Sequence, residues 1–289
     1  MQTLVQALVA GALVGGLYGL VSIGLSLIFG VMRIVNFAHG EFVMLGMYAT
    51  YANWTLFHID PLLSLLVVVP AFFALGAAIE RLLVRRVLHA PDLAQIFLTV
   101  GLSIVLVNGA LLAFTPDVRT ISAPYSNSYL DLAGVVVPVA RLIAFGGAVV
   151  LSAALAVFLL RTDLGRAMRA AAQDREVAML MAIDPDRIFL VAFGIGTALA
   201  AAAGVFLASF FPILPTVGTQ FIVIAFVVVI LGGLGNLVGA MLGGLLVGVV
   251  ESLGKVYLQA DWGLVLVFAI MLLVLNLRPS GLLAGTRLG

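Results

Sequence analysis

Residues 4–31 read LVQALVAGALVGGLYGLVSIGLSLIFGV and contain no charged side chain. A helix needs about 20 mainly apolar residues to cross the hydrocarbon core of a bilayer, so this run is long enough to span a membrane. It is also longer than the apolar core of a secretory signal peptide, and no basic residue precedes it. We therefore predict a transmembrane helix that the mature protein retains.

Further apolar runs follow along the whole chain. Residues 220–250 form a run that is too long for one untilted helix, and its middle, Gly232-Gly233-Leu234-Gly235-Asn236, suits a helix interior poorly. This run predicts two helices or one broken helix. The other runs lie at about 37–57, 62–84, 93–114, 138–160, 188–211 and 262–277. Together they predict an all-α, polytopic transmembrane helical bundle of eight or nine spans, folded as a single domain over residues 1–289.

The composition indicates the same surroundings. Hydrophobic residue types make up 64% of the 289 residues and charged types 9%, whereas an ordinary soluble domain has roughly 25% charged residues. A water-soluble fold of this size has too little interior to hide that much apolar surface. We expect membrane lipid to be the main contact of the chain.

Several kinds of site are excluded by the residues that are missing. The chain has no cysteine, and His39, His58 and His89 show no metal-ligand spacing, so we expect no metal site. The dispersed net charge of +1 offers no surface for nucleic acid. The one lysine, Lys255, precedes Val256 rather than Ser or Thr, so the chain has no phosphate-binding loop for ATP. No motif of a hydrolase is present, and we expect neither an enzyme nor a bound cofactor.

Positive residues in short loops predict the orientation of the chain. They fall on alternate loops if the N-terminus is outside. The groups are Arg33; Arg81, Arg85 and Arg86; Arg161, Arg166, Arg169, Arg175 and Arg187; and Arg278 and Arg287. The C-terminus is then inside only if residues 220–250 cross twice, which favours nine spans over eight. The connection 115–137 becomes the largest outside loop, where a partner that delivers a solute could dock.

The loop 161–187 must stand in water because about ten of its residues are charged. Residues 165–180 are rich in helix formers and predict a short amphipathic helix, with a stop at Asp184-Pro185. Its small and apolar side would carry Ala167, Ala170, Ala171, Ala178 and Met181. Residue types alone leave two interpretations equally open: a helix that touches only lipid headgroups, or one that docks into a groove of a cytoplasmic partner.

Two further segments are candidates for a translocation pathway. Asn36, His39, Gly40 and Glu41 set polar groups at the mouth of an apolar run, where ionisable groups are costly unless they face a cavity or a partner. By position alone, a simpler interpretation is favoured, in which Arg33 and Glu41 mark the headgroup zone and Asn36 caps the next helix.

The second segment is the glycine-rich break, with Gly232, Gly233, Gly235 and Asn236. Non-helical backbone at membrane depth is tolerated where it is buried in protein or lines a water-filled cavity, and its N–H groups could meet a solute carboxylate. The alternative, a cytoplasmic turn between two short spans, is slightly favoured.

Three stretches together resemble one known family. They are Gly19 to Gly46, which includes Ile34-Val35-Asn36-Phe37-Ala38-His39-Gly40-Glu41; Gly165 to Gly204; and Leu231 to Gly235 with Gly239 to Gly244. The chain is similar over nearly its whole length to the permease subunits of ABC importers for branched-chain amino acids, and specifically to the shorter of the two paired permeases.

This resemblance implies a set of partners and a mechanism. A homologous second permease, two cytoplasmic ATPase subunits that bind ATP and Mg, and an extracytoplasmic solute-binding protein would assemble with the chain in the bacterial inner membrane. The segment from Gly165 to Ile183 resembles the coupling segment that such permeases insert into the ATPase. Arg166, Arg169 and Glu176 would make polar contacts there, with Ala170 and Ala178 on a packed face. The resemblance thus favours docking.

Two positions depart from the family pattern. Ala182 stands where relatives usually have glycine, which affects the exit from the coupling helix, and Ile224 stands where many carry lysine. The family also includes transporters for urea, short amides and carboxylates, so the resemblance leaves the solute open.

Rival functions predict other features. An ion-coupled secondary transporter would place acidic groups within spans, and here only Glu41 and Glu251 come close to that pattern. An intramembrane enzyme would need a nucleophile or metal constellation, and a passive channel would conduct without nucleotide.

Overall fold

The computed structural model describes residues 1–88, 90–132, 134–260, 262–278 and 281–282. His89, one of the three histidines, and Arg287, one of the basic residues used to predict orientation, lie outside them. The described residues form eleven α-helices and one short hairpin. These are α1 (Gln2–Met32), α2 (His39–Phe57), α3 (Leu65–Leu82), α4 (Asp92–Phe114), β1 (Tyr129–Leu132), β2 (Val135–Pro138), α5 (Val139–Arg161), α6 (Asp163–Gln173), α7 (Arg175–Leu180), α8 (Pro185–Leu207), α9 (Val217–Gly232), α10 (Leu237–Tyr257) and α11 (Trp262–Leu277). The all-α, polytopic fold class is therefore confirmed.

Six segments are long and apolar enough to cross a membrane: Gln2–Met32, Leu65–Val87, Asp92–Phe114, Val139–Arg161, Pro185–Leu207 and Leu237–Tyr257. Two shorter helices, α9 and α11, are also apolar. The long run at 220–250 contains the end of α9 and most of α10, with the turn at Gly233 to Asn236 between them. This run therefore forms two helices rather than one broken helix. The total of eight or nine spans stays a prediction.

Helix α1 lies at the centre of the bundle and packs against α10 along a seam of small residues. A Cβ added at Gly15 would lie 2.7 Å from the carbonyl oxygen of Gly244, and one at Gly248 would lie 2.4 Å from that of Gly11. The two backbones therefore touch directly. Lipid tails provide no hydrophobic drive for helix association, so such close van der Waals packing stabilises the seam.

One end of the bundle, here called the hairpin end, carries the N-terminus and the β1–β2 hairpin. The side-chain amides of Gln2 and Gln6 donate hydrogen bonds of 2.7 Å to the carbonyl oxygens of Gly134 and Val136. The Tyr125 hydroxyl donates to Asp60 at 3.2 Å, and burial raises the pKa of Tyr125 to about 12. These contacts hold the connection 115–137 against the bundle.

The opposite end, here called the charged end, carries α6, α7 and Arg33, which follows α1 directly. The prediction of one continuous amphipathic helix is wrong here. Asp174 interrupts it, because its carboxylate accepts hydrogen bonds from the N–H groups of Glu176 and Val177 at 2.9 and 3.1 Å and so caps a new helix, α7. Asp184-Pro185 is a helix start rather than a stop, since Asp184 caps α8 and Pro185 is its first residue.

Candidate coupling surface and translocation path

Gly165 fixes the place where α6 leaves the end of α5. Its N–H donates a 3.0 Å hydrogen bond to the Thr162 hydroxyl, which caps α6. A Cβ at this position would lie 2.4 Å from the carbonyl oxygen of Phe158 and 2.5 Å from the Cα atom of Leu159. Because both of these are backbone atoms, only glycine fits without moving α6 relative to α5.

The face of α6 and α7 that packs on the protein differs in part from the predicted one. Met168, Ala171 and Ala178 are buried, whereas Ala170 is half-buried. Met181, placed on the apolar side by its spacing, is 73% exposed because α7 ends at Leu180. Sequence reasoning missed Met168, although a large apolar side chain within a charged helix is a usable signal for its packed face.

The predicted polar contacts occupy different places. Arg166 forms an ion pair with Asp163, and its side chain is 58% exposed. Glu176 is also exposed. Arg169 instead lines a cavity of about 640 Å³ together with Arg33 and Gly235. Two of the three side chains therefore face outward at the charged end, while Arg169 faces the turn between α9 and α10.

Apolar side chains are exposed next to these charges. Val177 is 54%, Leu180 86% and Met181 73% exposed. On the other side of α7, the guanidinium of Arg175 lies 5.1 Å from the ring centroid of Phe189 and ties this helix to α8. Helix α7 thus has one face anchored to the bundle and one apolar face free.

Asn36, His39 and Glu41 are enclosed by protein. Glu41 is 1% exposed and its Oε1 accepts a 3.0 Å hydrogen bond from Ser103 on α4, so the expectation that Glu41 marks the headgroup zone is wrong. Nε2 of His39 lies 2.9 Å from the Val21 carbonyl oxygen. Asn36 accepts a bond from the N–H of Ala38 at 3.1 Å, so it stabilises the turn before α2 rather than capping the helix.

These contacts place the start of α2 well inside the bundle. Val21 lies eleven residues before Met32, the last residue of α1, which corresponds to about 16 Å along a helix. The first turn of α2 therefore lies beside the middle of α1 rather than beside its end. The backbone between Arg33 and Ala38 covers that distance without being helical, and Ile34, Asn36 and Ala38 are buried within it.

The first turns of α2 and α9 meet at Gly40 and Gly218. A Cβ at Gly40 would lie 2.1 Å from the carbonyl oxygen of Gly218. A Cβ at Gly218 would lie equally close, 2.1 Å, to Oε2 of Glu41, an oxygen that has no hydrogen-bond partner among the described residues. Two positive helix ends therefore converge on one buried carboxylate. Sequence reasoning missed Gly218 and Ser103 because both lie far from Glu41 in sequence.

The glycine break is a tight turn at the charged end. Gly233 and Gly235 have φ angles of 96° and 80°, which glycine adopts without steric cost. Asn236 accepts a 2.9 Å bond from the N–H of Gly239 and so caps α10, and a Cβ at Gly232 would lie 2.3 Å from Gly239. The prediction of a turn between two helices is therefore correct, while its cytoplasmic location stays a prediction.

The structure keeps the two predicted pathway groups apart. Gly218 and Gly232 stand at opposite ends of α9 and are separated by fourteen residues, or about 21 Å. The Asn36 to Glu41 group lies near the Gly218 end of α9, whereas the Gly232 to Asn236 group lies beside Arg33 and Arg169.

The sequence matches known proteins along most of its length. The model of the family described as "Branched-chain amino acid transport system / permease component" matches residues 7–275. BraD of Pseudomonas aeruginosa, a high-affinity branched-chain amino acid transport system permease protein, is 33% identical over 96% of this chain and 95% of its own length. LivH of Salmonella typhimurium, named in the same way, is 33% identical over 96% of this chain and 94% of its own length.

A more distant likeness covers part of the chain. LivM of Escherichia coli strain K12, also named as a permease protein of such a system, is 33% identical over 131 residues, which are 45% of this chain and 30% of LivM. No solved structure matches. The family match over residues 7–275 and the full-length similarity to BraD and LivH show that the chain belongs to the permease components of branched-chain amino acid transport systems, as a LivH-type member.

Proposed function

We propose that this chain is the LivH-type membrane subunit of an ATP-driven importer that takes up branched-chain or related apolar amino acids. The observation that carries the proposal is the family match over residues 7–275. The sequence has no phosphate-binding loop of the GxxxxGK(S/T) type, so ATP and Mg would bind to two cytoplasmic ATPase subunits. The hairpin end faces outward and the charged end faces the cytoplasm of the bacterial inner membrane, with the N-terminus outside.

A second permease completes the path for the solute. The partial likeness to LivM supports a related permease as the partner in the membrane. An extracytoplasmic binding protein delivers the solute to the hairpin end, where the connection 115–137 and the β1–β2 hairpin form an ordered surface. Each partner thus has its own face of the bundle.

Helices α6 and α7 transmit the motion of the ATPase to the bundle. The exposed apolar side chains of Val177, Leu180 and Met181 enter a groove of the ATPase, and Arg166 and Glu176 make polar contacts at its rim. Gly165 and Met168 join α6 firmly to the rest of the chain, so that a displacement of the segment also moves α5. Closure of the ATPases on ATP would bias the bundle toward one access state through the different contacts made in each state.

The solute passes the Asn36, His39, Gly40 and Glu41 group and leaves past the turn formed by Gly232, Gly233, Gly235 and Asn236. Glu41 can attract the solute ammonium group through its unpartnered Oε2. The turn can gate the cytoplasmic exit because it contacts the cavity that contains Arg169 of the coupling segment. Movement of α6 would then act directly on the gate.

Co-purification and reconstitution test this proposal. The tagged chain is extracted from its native cell in mild detergent, and the co-purified subunits are identified by mass spectrometry and reconstituted in liposomes with the binding protein. We expect a second permease, an ATPase and uptake of leucine that needs ATP. Uptake by this chain alone, driven by a proton gradient without ATP, would contradict the proposal and favour an ion-coupled transporter.

A further inference from the structure

A group of charged side chains, Arg141, Glu251 and Lys255, lies within the bundle at the hairpin end. A cavity of about 220 Å³ opens there between α1, α5, α10 and the connection from α8 to α9. The side chains that give it its chemistry are Tyr18, Arg141, Phe210, Phe211, Glu251 and Lys255. Its volume is below the 300–1,000 Å³ of typical drug-sized sites and corresponds to roughly seven water molecules. It therefore suits a small solute.

One wall of the cavity is cationic. Arg141 is half-buried, and its guanidinium lies 5.7 Å from the ring centroid of Phe210. Among the described residues it forms no ion pair, in contrast to the guanidiniums of Arg85, Arg119 and Arg166. A guanidinium that lacks a counter-ion presents a planar set of donors that matches a carboxylate.

A second wall of the cavity is acidic. Glu251 is 5% exposed and lies close to the Tyr18 hydroxyl. Its partner is Lys255, at 2.5 Å, whose side chain is 49% exposed. A half-exposed lysine can turn its ammonium group toward water on its flexible stem. Glu251 would then be free to pair with a cation that enters the cavity.

The remaining wall is apolar and aromatic. The ring centroids of Phe211 and Phe221 are 5.6 Å apart, and those of Tyr18 and Phe221 are 6.4 Å apart. Phe221 is also three residues from Gly218 on α9, about 4.5 Å along the helix axis. The aromatic wall therefore extends to within about one helical turn of Gly218 in the Gly40–Gly218 contact.

We propose that this cavity is the outer binding site for an apolar α-amino acid. Arg141 pairs with the carboxylate of the zwitterion, Glu251 pairs with its ammonium group in place of Lys255, and Phe210, Phe211 and Phe221 contact its side chain. The site rests on the importer function proposed above. It would hold the solute after delivery at the hairpin end and before passage to Glu41.

The first test uses the absence of cysteine in the natural chain. Ser252 lines the cavity, and Ser252→Cys introduces a single, nearly isosteric thiol. A membrane-impermeant thiol reagent is added to intact inner-membrane vesicles that have their periplasmic side outward, and labelling is followed with and without leucine. We expect leucine to slow labelling at least fivefold. Ser128→Cys, which lies on the exposed outer connection, is the control and should label at the same rate in both cases.

The second test measures transport in the reconstituted importer. Arg141→Gln should raise the KM for leucine at least tenfold, and Arg141→Lys should recover part of the affinity. Arg81→Gln is the control, because Arg81 is an exposed arginine in the last turn of α3 and lies outside the cavity. Glu251→Gln should reduce the preference for leucine over its deaminated analogue, 4-methylpentanoate.

The outcomes separate the two proposals. If the wild-type importer transports leucine with ATP, but Arg141→Gln leaves the KM unchanged and leucine does not protect Ser252→Cys, the site is wrong and the importer function stands. If leucine protects the thiol although no ATP-dependent uptake occurs, the site is correct and the importer function fails.

Discussion

The seam between α1 and α10 and the α6–α7 segment are held in place in opposite ways. In the seam, glycines such as Gly15 and Gly248 bring two backbones into direct contact. The α6–α7 segment makes such a backbone contact at Gly165, and it is otherwise held by a hydroxyl cap at Thr162, a carboxylate cap at Asp174 and a few buried side chains. The seam thus joins two helices at several backbone contacts along their length, whereas the segment is joined to the bundle at fewer points. This difference agrees with the coupling role proposed above for the segment.

The largest effect is expected from breaking the seam. Gly248→Ala would place a Cβ 2.4 Å from the Gly11 carbonyl oxygen and 2.5 Å from the Cα atom of Gly15, and such overpacking costs about 1–3 kcal/mol or more. We expect a large loss of folded protein, measured by size-exclusion chromatography and thermal unfolding in detergent. Gly109→Ala on α4 is the control, since a Cβ there meets no atom within 4 Å. Equal stability of the two variants would show that the seam can adjust.

The next largest effect is expected at Gly165, where the α6–α7 segment meets the end of α5. Gly165→Ala forces α6 away from the backbone of Phe158 and Leu159, while the spans stay in place. We expect the importer to assemble and hydrolyse ATP but to lose most of its uptake. The measurement is the ratio of ATP hydrolysed to leucine transported. A ratio like that of the wild type would mean that the position of α6 relative to α5 does not matter for coupling.

A smaller effect is expected at the free apolar face of α7. Leu180→Ala removes a side chain that is 86% exposed, so the stability of this chain should not change, but contacts with the ATPase should weaken. We expect roughly a tenfold loss of affinity for the ATPase, equivalent to about 1.4 kcal/mol, measured with purified components in nanodiscs. Leu112→Ala is matched in exposure, at 88%, but lies on α4 and should leave the affinity unchanged.

The predicted polar contacts of the segment can be tested in the same assay. Arg166→Ala together with Arg169→Ala should reduce ATP-coupled uptake by roughly threefold to tenfold, because hydrogen bonds to charged groups are worth about 1.5–3 kcal/mol and exposed ones less. The single variants separate the two roles. Arg166 is exposed and should affect ATPase affinity, whereas Arg169 faces the turn after α9 and should affect uptake at constant affinity. Unchanged uptake in the double variant would remove both residues from the coupling mechanism.

Local signals in the sequence were sufficient for much of the fold. The apolar runs correspond to helices α1 to α5 and α8 to α11, and the glycine-rich break at Gly232 to Asn236 marks a real turn, because glycine and asparagine act on their own backbone. Asp174 was a recognisable capping residue, but the helical spacing on both sides of it led to the prediction of one continuous helix. The burial of Glu41 could not be predicted, since Ser103 and Gly218, which enclose it, lie 62 and 177 residues away. The cavity with Arg141 and Glu251 likewise exists only through packing between distant helices.

The smallest effect is expected at Ala182, where the α6–α7 segment ends. The N–H groups of Ile183 and Ala182 donate 3.1 Å bonds to the carbonyl oxygens of Ala178 and Met179, which is the helix-ending pattern that favours glycine in the left-handed position. Ala182 occupies that position with φ of 60°. A left-handed conformation costs an L-residue about 1–2 kcal/mol, and glycine at this position would remove that cost. Part of the gain in stability is lost because glycine has the greater backbone entropy in the unfolded chain.

We therefore expect Ala182→Gly to stabilise the exit from α7 by roughly 0.5–1 kcal/mol. The measurement is amide hydrogen exchange of residues 175–183, which reports local opening rather than unfolding of the bundle. Ala172→Gly, in the regular helix α6, is the matched control and should have the opposite sign, because glycine weakens a helix interior by a similar amount. If both variants exchange faster than the wild type, the backbone at Ala182 carries no strain, and the stability of the segment depends on its caps and buried side chains alone.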